Sequence, residues 1–156
     1  MNQSAIVRQT EAIEVAVGLP ARDQIKLRVE VDTEGEILSA TLRVVGCMEL
    51  LHLAQALRLK LSGRLSAVTL PEGLSHSAIL LREALLKAQG KWSFPYSEEE
   101  LCHCRAVPTS RVDAAVISGC HTVDAVKRAT SASSSCGTCR PDVEAVIRHR
   151  TGLPTK

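Results

Sequence analysis

Two short cysteine-rich stretches, ELCHCR at positions 100–105 and SCGTCR at positions 135–140, decide how the last third of this chain folds. Their four cysteines are Cys102, Cys104, Cys136 and Cys139. They form a C-x-C pair and a C-x-x-C pair, with 31 residues between the two pairs. Two close pairs let a small domain gather four thiolates while it fixes only two short segments of backbone. The spacing therefore predicts a site for a metal ion or a metal cluster.

The spacing also narrows the identity of the metal. Thiolates prefer soft or borderline ions, which leaves zinc and iron-sulfur clusters as candidates. Structural zinc sites usually use C-x₂₋₄-C pairs, and a C-x-C pair strains the tetrahedral geometry around one ion. A 2Fe-2S cluster spreads four ligands over two irons and accepts a wider range of spacings. An iron-sulfur cluster is favoured, while zinc and a set of structural or redox-active thiols stay open.

The residues beside the cysteines suit an anionic cofactor. Arg105 follows Cys104 directly, and Arg140 follows Cys139. Pro141 is suited to the first turn of a helix, which would put Cys139 at the N-terminus, where the helix dipole favours negative charge. The alternative, equally favoured for each arginine, is that its side chain is solvent-exposed and does not interact with a cofactor.

The two cysteine stretches, together with TVDAVKRAT at 122–130, resemble the bacterioferritin-associated ferredoxin type of 2Fe-2S domain. The resemblance extends over residues 99–150. It implies a small all-helical domain with the cluster near the surface, bound by the four cysteines named above. Two further residues lie outside this set: we expect Cys120 to be a small packed residue and the side chain of His103 to face solvent.

The first half of the chain predicts a small antiparallel sheet with packed helices. Residues 24–31 alternate between apolar and polar, residues 32–35 supply turn residues, and residues 37–45 resume a β-branched pattern, which is typical of a hairpin. Residues 66–70 predict a third short strand. Apolar spacing of three and four residues predicts helices over 48–61 and 75–89, the second of which ends at Gly90.

The chain is therefore expected to be an α+β protein with two domains. Residues 91–98 follow neither period and hold all three aromatic residues of the chain, so they predict a linker that packs against one or both domains. The domains would be 1–90 and 99–156. Short helices are expected in the second domain over 109–117, 122–129 and 141–150, with N-caps at Ser110 and Thr122.

The first domain resembles the scaffold domain of the IscU/NifU N-terminal type, on which iron-sulfur clusters are assembled. The resemblance covers residues 18–89 and is carried by GLPARD at 18–23, VGC at 45–47 and LSHSAILLRE at 74–83. It implies a site of three cysteines and an aspartate.

Only part of that ligand set is present in this chain. Asp23 and Cys47 match the aspartate and the central cysteine, whereas Ala21-Arg22 and Ser77 stand at the other two cysteine positions, with His76 beside Ser77. Asp23, Cys47 and His76 could still bind one iron or zinc ion. The favoured interpretation is that Cys47 is a buried small residue at a strand end and that the domain is a docking module.

Composition excludes several classes of function. The net charge is +2, from 19 basic and 17 acidic residues, and three aromatic residues supply no stacking surface, so nucleic acid is not an expected partner. Charged residues interrupt positions 1–18, and no apolar run approaches the roughly 20 residues of a membrane span. The chain is expected to be cytoplasmic, where six cysteines serve better as ligands than as disulfides. It carries no catalytic motif, so it is not expected to be an enzyme.

These observations predict a 2Fe-2S protein that acts with a protein partner. In the first hypothesis it is an electron-transfer or cluster-carrying accessory subunit of a redox enzyme, and the degenerate scaffold domain docks it on that enzyme. In the second it is a cluster assembly or transfer factor of the NifU type that works with the iron-sulfur assembly machinery. In the third it is a zinc-stapled interaction protein. The sequence predicts no oligomeric state.

Overall fold

The computed structural model describes residues 9–154, which fall into two compact units. One unit comprises the described residues up to Pro71 together with Leu80–Trp92. The other comprises Glu72–Ile79 and the described residues from Ser93 onward. The protein is α+β, with a three-stranded antiparallel sheet and five α-helices in the described part of the chain.

The sheet of the first unit is a meander of β1 (Glu11–Leu19), β2 (Asp23–Val31) and β3 (Ile37–Val45), with β2 in the middle. Alternate residues of β2 are buried, with Ile25, Leu27 and Val29 at most 2% exposed. The predicted hairpin is confirmed, because β2 and β3 pair in antiparallel register. Strand β1 was not predicted, because Glu14 is the one polar residue among the outward Ala12, Glu14, Ala16 and Gly18, which leaves little contrast between its two faces.

Two helices follow the sheet, as predicted. In α1 (Met48–Arg58) the inward residues are Leu50, Ala54 and Leu57, and the helix packs next to β3. The second helix, α2 (His76–Ala88), is followed by Gly90 at φ +68°, a left-handed conformation that suits glycine at a helix end.

The predicted strand over residues 66–70 is wrong. Leu65–Ala67 forms a single 3₁₀ turn instead. The Gln89 side-chain amide donates to the carbonyl oxygens of Leu65 (2.9 Å) and Val68 (3.1 Å). A side chain therefore satisfies acceptors that would otherwise need a neighbouring strand.

The second unit is a three-helix cluster with a small hairpin. The helices are α3 (Thr109–Ile117), α4 (Val123–Thr130) and α5 (Arg140–Thr151), each within one residue of its predicted bounds. The hairpin pairs β4 (Glu100–Cys102) with β5 (Val107–Pro108). The prediction of an all-helical domain is wrong here, because strands of two and three residues are too short to show alternation.

The helix caps are partly as predicted. The Thr122 hydroxyl accepts a hydrogen bond from the Ala125 N–H at 3.2 Å and caps α4. Ser110 does not cap α3, whose N-cap is Pro108. The reason is that β5 continues directly into the helix, and Thr109 donates its N–H to the Glu99 carbonyl oxygen at 2.7 Å.

The apolar core of the second unit holds the three helices and the hairpin together. Val112, Val126, Val143 and Ile147 are all fully buried in this core. Phe94 and Tyr96 pack against it, as the linker prediction anticipated for the aromatic residues.

An ion pair adds to this packing. Arg150 of α5 makes two short hydrogen bonds to Asp113 of α3, at 2.7 and 2.6 Å, and its side chain is only 4% exposed. Across the described part of the chain, each helix is too short or too polar to span a bilayer.

Candidate metal centre

The second unit brings its four cysteines to one place. Cys102 ends β4, Cys104 lies in the 3₁₀ turn His103–Arg105, and Cys136 lies in the loop before α5. Cys139 is the N-cap residue of α5. The Sγ–Sγ distances are 3.7 Å for Cys102–Cys104 and 3.5 Å for Cys104–Cys136. All four line one cavity of about 330 Å³, and the Cys139 thiol contacts that of Cys102.

Each pair of cysteines lies at a tight turn that contains a residue in the left-handed backbone conformation. Ala106 has φ +50°, and its N–H donates to the His103 carbonyl oxygen across the turn that holds Cys104. Gly137, with φ +74°, stands between Cys136 and Cys139, and its carbonyl oxygen accepts the Arg140 N–H at 3.1 Å. Glycine adopts this conformation without a steric penalty, so the C-G-x-C order suits a tight ligand loop that runs into a helix.

The site has a buried side and an exposed side. Cys102 and Cys139 are buried, whereas Cys104 and Cys136 are exposed. Burial raises the pKa of Cys139 to about 11. Hydrogen bonds from the Thr138 hydroxyl and N–H lower the pKa of Cys136 to about 7. The exposed thiol therefore ionises more readily than the buried one, and metal binding must drive deprotonation of Cys139.

On the buried side of the site, backbone N–H donors and the N-terminus of α5 favour negative charge on the two cysteines. Burial raises the pKa of Cys102, but a hydrogen bond from the Ser133 backbone and contacts with the neighbouring thiols outweigh burial, so that this pKa is lowered overall. Cys139 lies where the dipole of α5 favours a thiolate, and Pro141 occupies the first turn as predicted. The sequence analysis missed Ser133 and Thr138; the position of Thr138 inside the C-x-x-C pair was the available signal.

The two arginines contribute less than their sequence positions suggested. Arg140 forms an ion pair with Glu144 at 2.9 Å along the surface of α5. Arg105 is exposed at the end of the 3₁₀ turn. Neither arginine lines the cavity. Besides the cysteines, the polar side chains that line it include Tyr96, His103 and Asp142.

His103 and Cys120 lie as expected outside the ligand set. The His103 side chain is 66% exposed, and its two ring nitrogens contact Glu98 at 3.1 Å and Glu100 at 3.2 Å. Cys120 is half-buried and packs against the core of the second unit. The exposed ring of His103 therefore contacts two carboxylates, while the residue also lines the cavity that holds the thiols.

The residues of the predicted second site lie on three elements. Asp23 begins β2 and Cys47 is the N-cap residue of α1, both in the first unit, whereas His76 begins α2 and belongs to the other unit. Ser77, at the position of a missing cysteine, is buried, with its hydroxyl 3.3 Å from His76 Nε2. The interpretation in which Cys47 is a buried small residue is wrong, because Cys47 is exposed and its sulfur caps α1.

Comparison with known proteins identifies the second unit. Residues 101–149 match the family model of the BFD-like 2Fe-2S binding domain. Over 56 residues, 35% of the chain, the protein is 38% identical to a nitrite reductase (NAD(P)H) of Bacillus subtilis (strain 168). It is 39% identical over 56 residues to the assimilatory nitrate reductase electron transfer subunit of the same organism. The matched stretch spans 7% of each relative. No solved structure matches the chain.

The donor set agrees with that family. Four thiols gathered in one cavity, one of them at a helix N-terminus and two at the surface, suit a 2Fe-2S cluster with four cysteine ligands. Cys102, Cys104, Cys136 and Cys139 are the residues that would hold this cluster. Zinc, which the spacing alone left open, is set aside.

Proposed function

We propose that this chain, whose residues 101–149 carry a 2Fe-2S cluster, is an electron-transfer or cluster-carrying accessory subunit of a redox enzyme. When bound, such a cluster takes up and releases one electron. The observation that carries the proposal is the asymmetry of the site. Cys104 and Cys136 are exposed at one edge, while Cys102 and Cys139 anchor the other edge in the core. A partner can approach the exposed edge without unfolding the domain.

The named relatives support this reading. One is called an electron transfer subunit and the other a nitrite reductase, and each shares only a stretch of about the size of the BFD-like domain with this chain. We extend the electron-transfer role to this protein, and we assign it a carrier role in the cytoplasm rather than a catalytic one.

The first half of the chain is proposed to dock the carrier on its partner. We keep the division into 1–90, a linker over 91–98, and 99–156, and we propose that the first of these is an IscU/NifU-type scaffold domain with a degenerate ligand set. Its three-stranded sheet with α1 and α2 is the architecture that this resemblance implies. The absence of two of the three scaffold cysteines supports docking over assembly.

Spectroscopy of anaerobically purified protein tests the proposal. We expect a visible spectrum that bleaches with dithionite and a spin-half EPR signal in the reduced state, both of which return on reoxidation. Cys104→Ser should change or abolish both signals. Cys120→Ser is the matched control, because this cysteine lies outside the ligand set, and it should change neither. A cluster that is lost rather than reversibly reduced would refute the carrier role.

Assembly or transfer of clusters, in the manner of NifU, is a second candidate function. The residue types at Asp23, Cys47 and His76 favour it, since a carboxylate, a thiolate and an imidazole together can bind iron or zinc. In this case Cys47→Ser should abolish cluster transfer to an apo-ferredoxin while the spectrum of the C-terminal cluster stays intact. Equal transfer by Cys47→Ser and Cys120→Ser would exclude an assembly role for the first domain.

A further inference from the structure

We propose that the solvent face of the three-stranded sheet binds an acidic segment of the partner protein, whose carboxylates pair with Lys26 and Arg43. The inference rests on the proposed function, because it assigns the docking role of the first half of the chain to one face and one kind of partner. It is argued from the shape, the charges and the apolar content of that face.

The face is a trough because its strands carry side chains of unequal size. The outward residues of β1 include Ala12, Ala16 and Gly18, which are small. Those of β2 and β3 include Lys26 and Arg43, which are long. The difference leaves a cavity of about 610 Å³ whose lining includes Ala16, Lys26 and Arg43. An extended segment of a partner fits such a trough better than it fits the surface of a flat sheet.

One arginine of this face is paired with carboxylates, whereas the two cations beside it are not. Arg28 pairs with Glu14 at 3.0 Å and with Glu30 at 3.1 Å, so its charge is neutralised. Lys26 and Arg43 lie directly opposite each other across β2 and β3. In the structure of residues 9–154, neither makes an ion pair.

The residues that the structure does not describe supply no carboxylate side chain for these two cations. Residues 1–8 and 155–156, which the structure does not describe, contain neither aspartate nor glutamate. Like charges directly opposite on neighbouring strands destabilise a sheet. A carboxylate from another molecule would remove this repulsion and add two charge-assisted contacts. The pair is therefore a site at which binding of an anion is favoured by the fold itself.

The surroundings favour an acidic protein segment over nucleic acid. Glu14 lines the same cavity, and Glu14 and Glu30 both pair with Arg28, so the face lacks the continuous positive charge that a phosphate backbone requires. One row away, Val45 lies opposite Gln24 on the same face and is 67% exposed. An apolar side chain beside two cations suits a protein segment that combines carboxylates with an apolar residue.

The test uses the full-length, cluster-loaded protein labelled with ¹⁵N. It is titrated with a ten-residue peptide of alternating glutamate and threonine, and separately with the same peptide carrying glutamine for glutamate. We expect shifts of the amide signals around Lys26 and Arg43 with the glutamate peptide alone. Affinity should fall about tenfold or more in Lys26→Glu and in Arg43→Glu. The matched control is Lys60→Glu, which makes the same charge change at an exposed lysine outside the sheet.

Three results would overturn the inference: equal shifts with the glutamine peptide, unchanged affinity of both sheet variants, or tighter binding of a single-stranded oligonucleotide on the same residues. The visible spectrum before and after dithionite is recorded on the same samples. Peptide binding by a protein whose cluster fails to cycle would refute the carrier role and leave the docking face standing. A cluster that cycles in a protein that does not bind the peptide would refute the docking face and leave the carrier role standing.

Discussion

Replacing Asp113 by asparagine should strongly destabilise the domain that holds the cluster. The side chain of Arg150 is 4% exposed and that of Asp113 is 19% exposed, and two hydrogen bonds of 2.7 and 2.6 Å join them. Removing one partner of a buried ion pair costs about 3–5 kcal/mol, because the other charge stays desolvated. Since Asp113 keeps some contact with solvent, we expect a loss of about 3 kcal/mol.

This loss converts into a measurable shift of the melting temperature. For a unit of 60–100 residues, each kcal/mol moves the Tm by about 4–8 °C, so Asp113→Asn should lower it by roughly 12–24 °C. The assay follows the loss of cluster absorbance on heating, together with the NMR signals of α3 and α5. Reversible melting of the two signals together would justify the conversion to free energy.

Two controls separate the buried pair from general surface effects. Arg140→Gln breaks an ion pair in which Arg140 is 53% exposed, so it should change stability by less than about 1 kcal/mol. The double replacement Asp113→Leu with Arg150→Met removes both charges and should recover most of the loss. If Asp113→Asn melts within 2 °C of the parent protein, the pair is not a significant source of stability and the reasoning fails.

Three further changes test other parts of the structure. Gly46→Ala places a Cβ against the carboxylate of Asp23 and the side chain of Leu50, so it should cost about 1–3 kcal/mol in denaturant unfolding, and a neutral result would contradict the close packing. Thr122→Ala removes the cap of α4 and should cost about 1 kcal/mol, whereas Thr122→Ser should be nearly neutral. Lys26→Glu should stabilise the sheet by about 0.2–1 kcal/mol, because it turns a repulsive cross-strand pair into an attractive one; destabilisation would contradict the assigned register.

The elements that could be predicted from the sequence are those with one apolar face and one charged face. The β2–β3 hairpin follows from the alternation of buried Ile25, Leu27 and Val29 with charged residues. Strand β1 escaped prediction because alanine and glycine occupy three of its four outward positions, and Glu14 alone does not make the alternation visible. The 3₁₀ turn at Leu65–Ala67 was mistaken for a strand because the hydrogen bonds from Gln89 come from a residue distant in sequence.

At the candidate site, too, the features set by residues close in sequence were predictable, and those set by distant residues were not. Cysteine spacing predicted four ligands that the structure brings to one cavity, since metal chelation constrains residues one to three positions apart. The spacing carries no information on which thiols are buried, because burial of Cys102 and Cys139 depends on how α5 packs on the rest of the core. The expectation for Arg140 failed for a related reason: Glu144, one helical turn away, competes for the guanidinium.

The helix α5 carries a ligand at its first end and the buried ion pair at its last. Cys139 is its N-cap residue, and Arg150, near its C-terminus, is hydrogen-bonded to Asp113. A segment tethered at both ends has little freedom to shift when the charge of the site changes by one electron. In the proposed electron-transfer role, a site that moves little on reduction would exchange electrons with little driving force, so this helix would suit a carrier between donors and acceptors of similar potential.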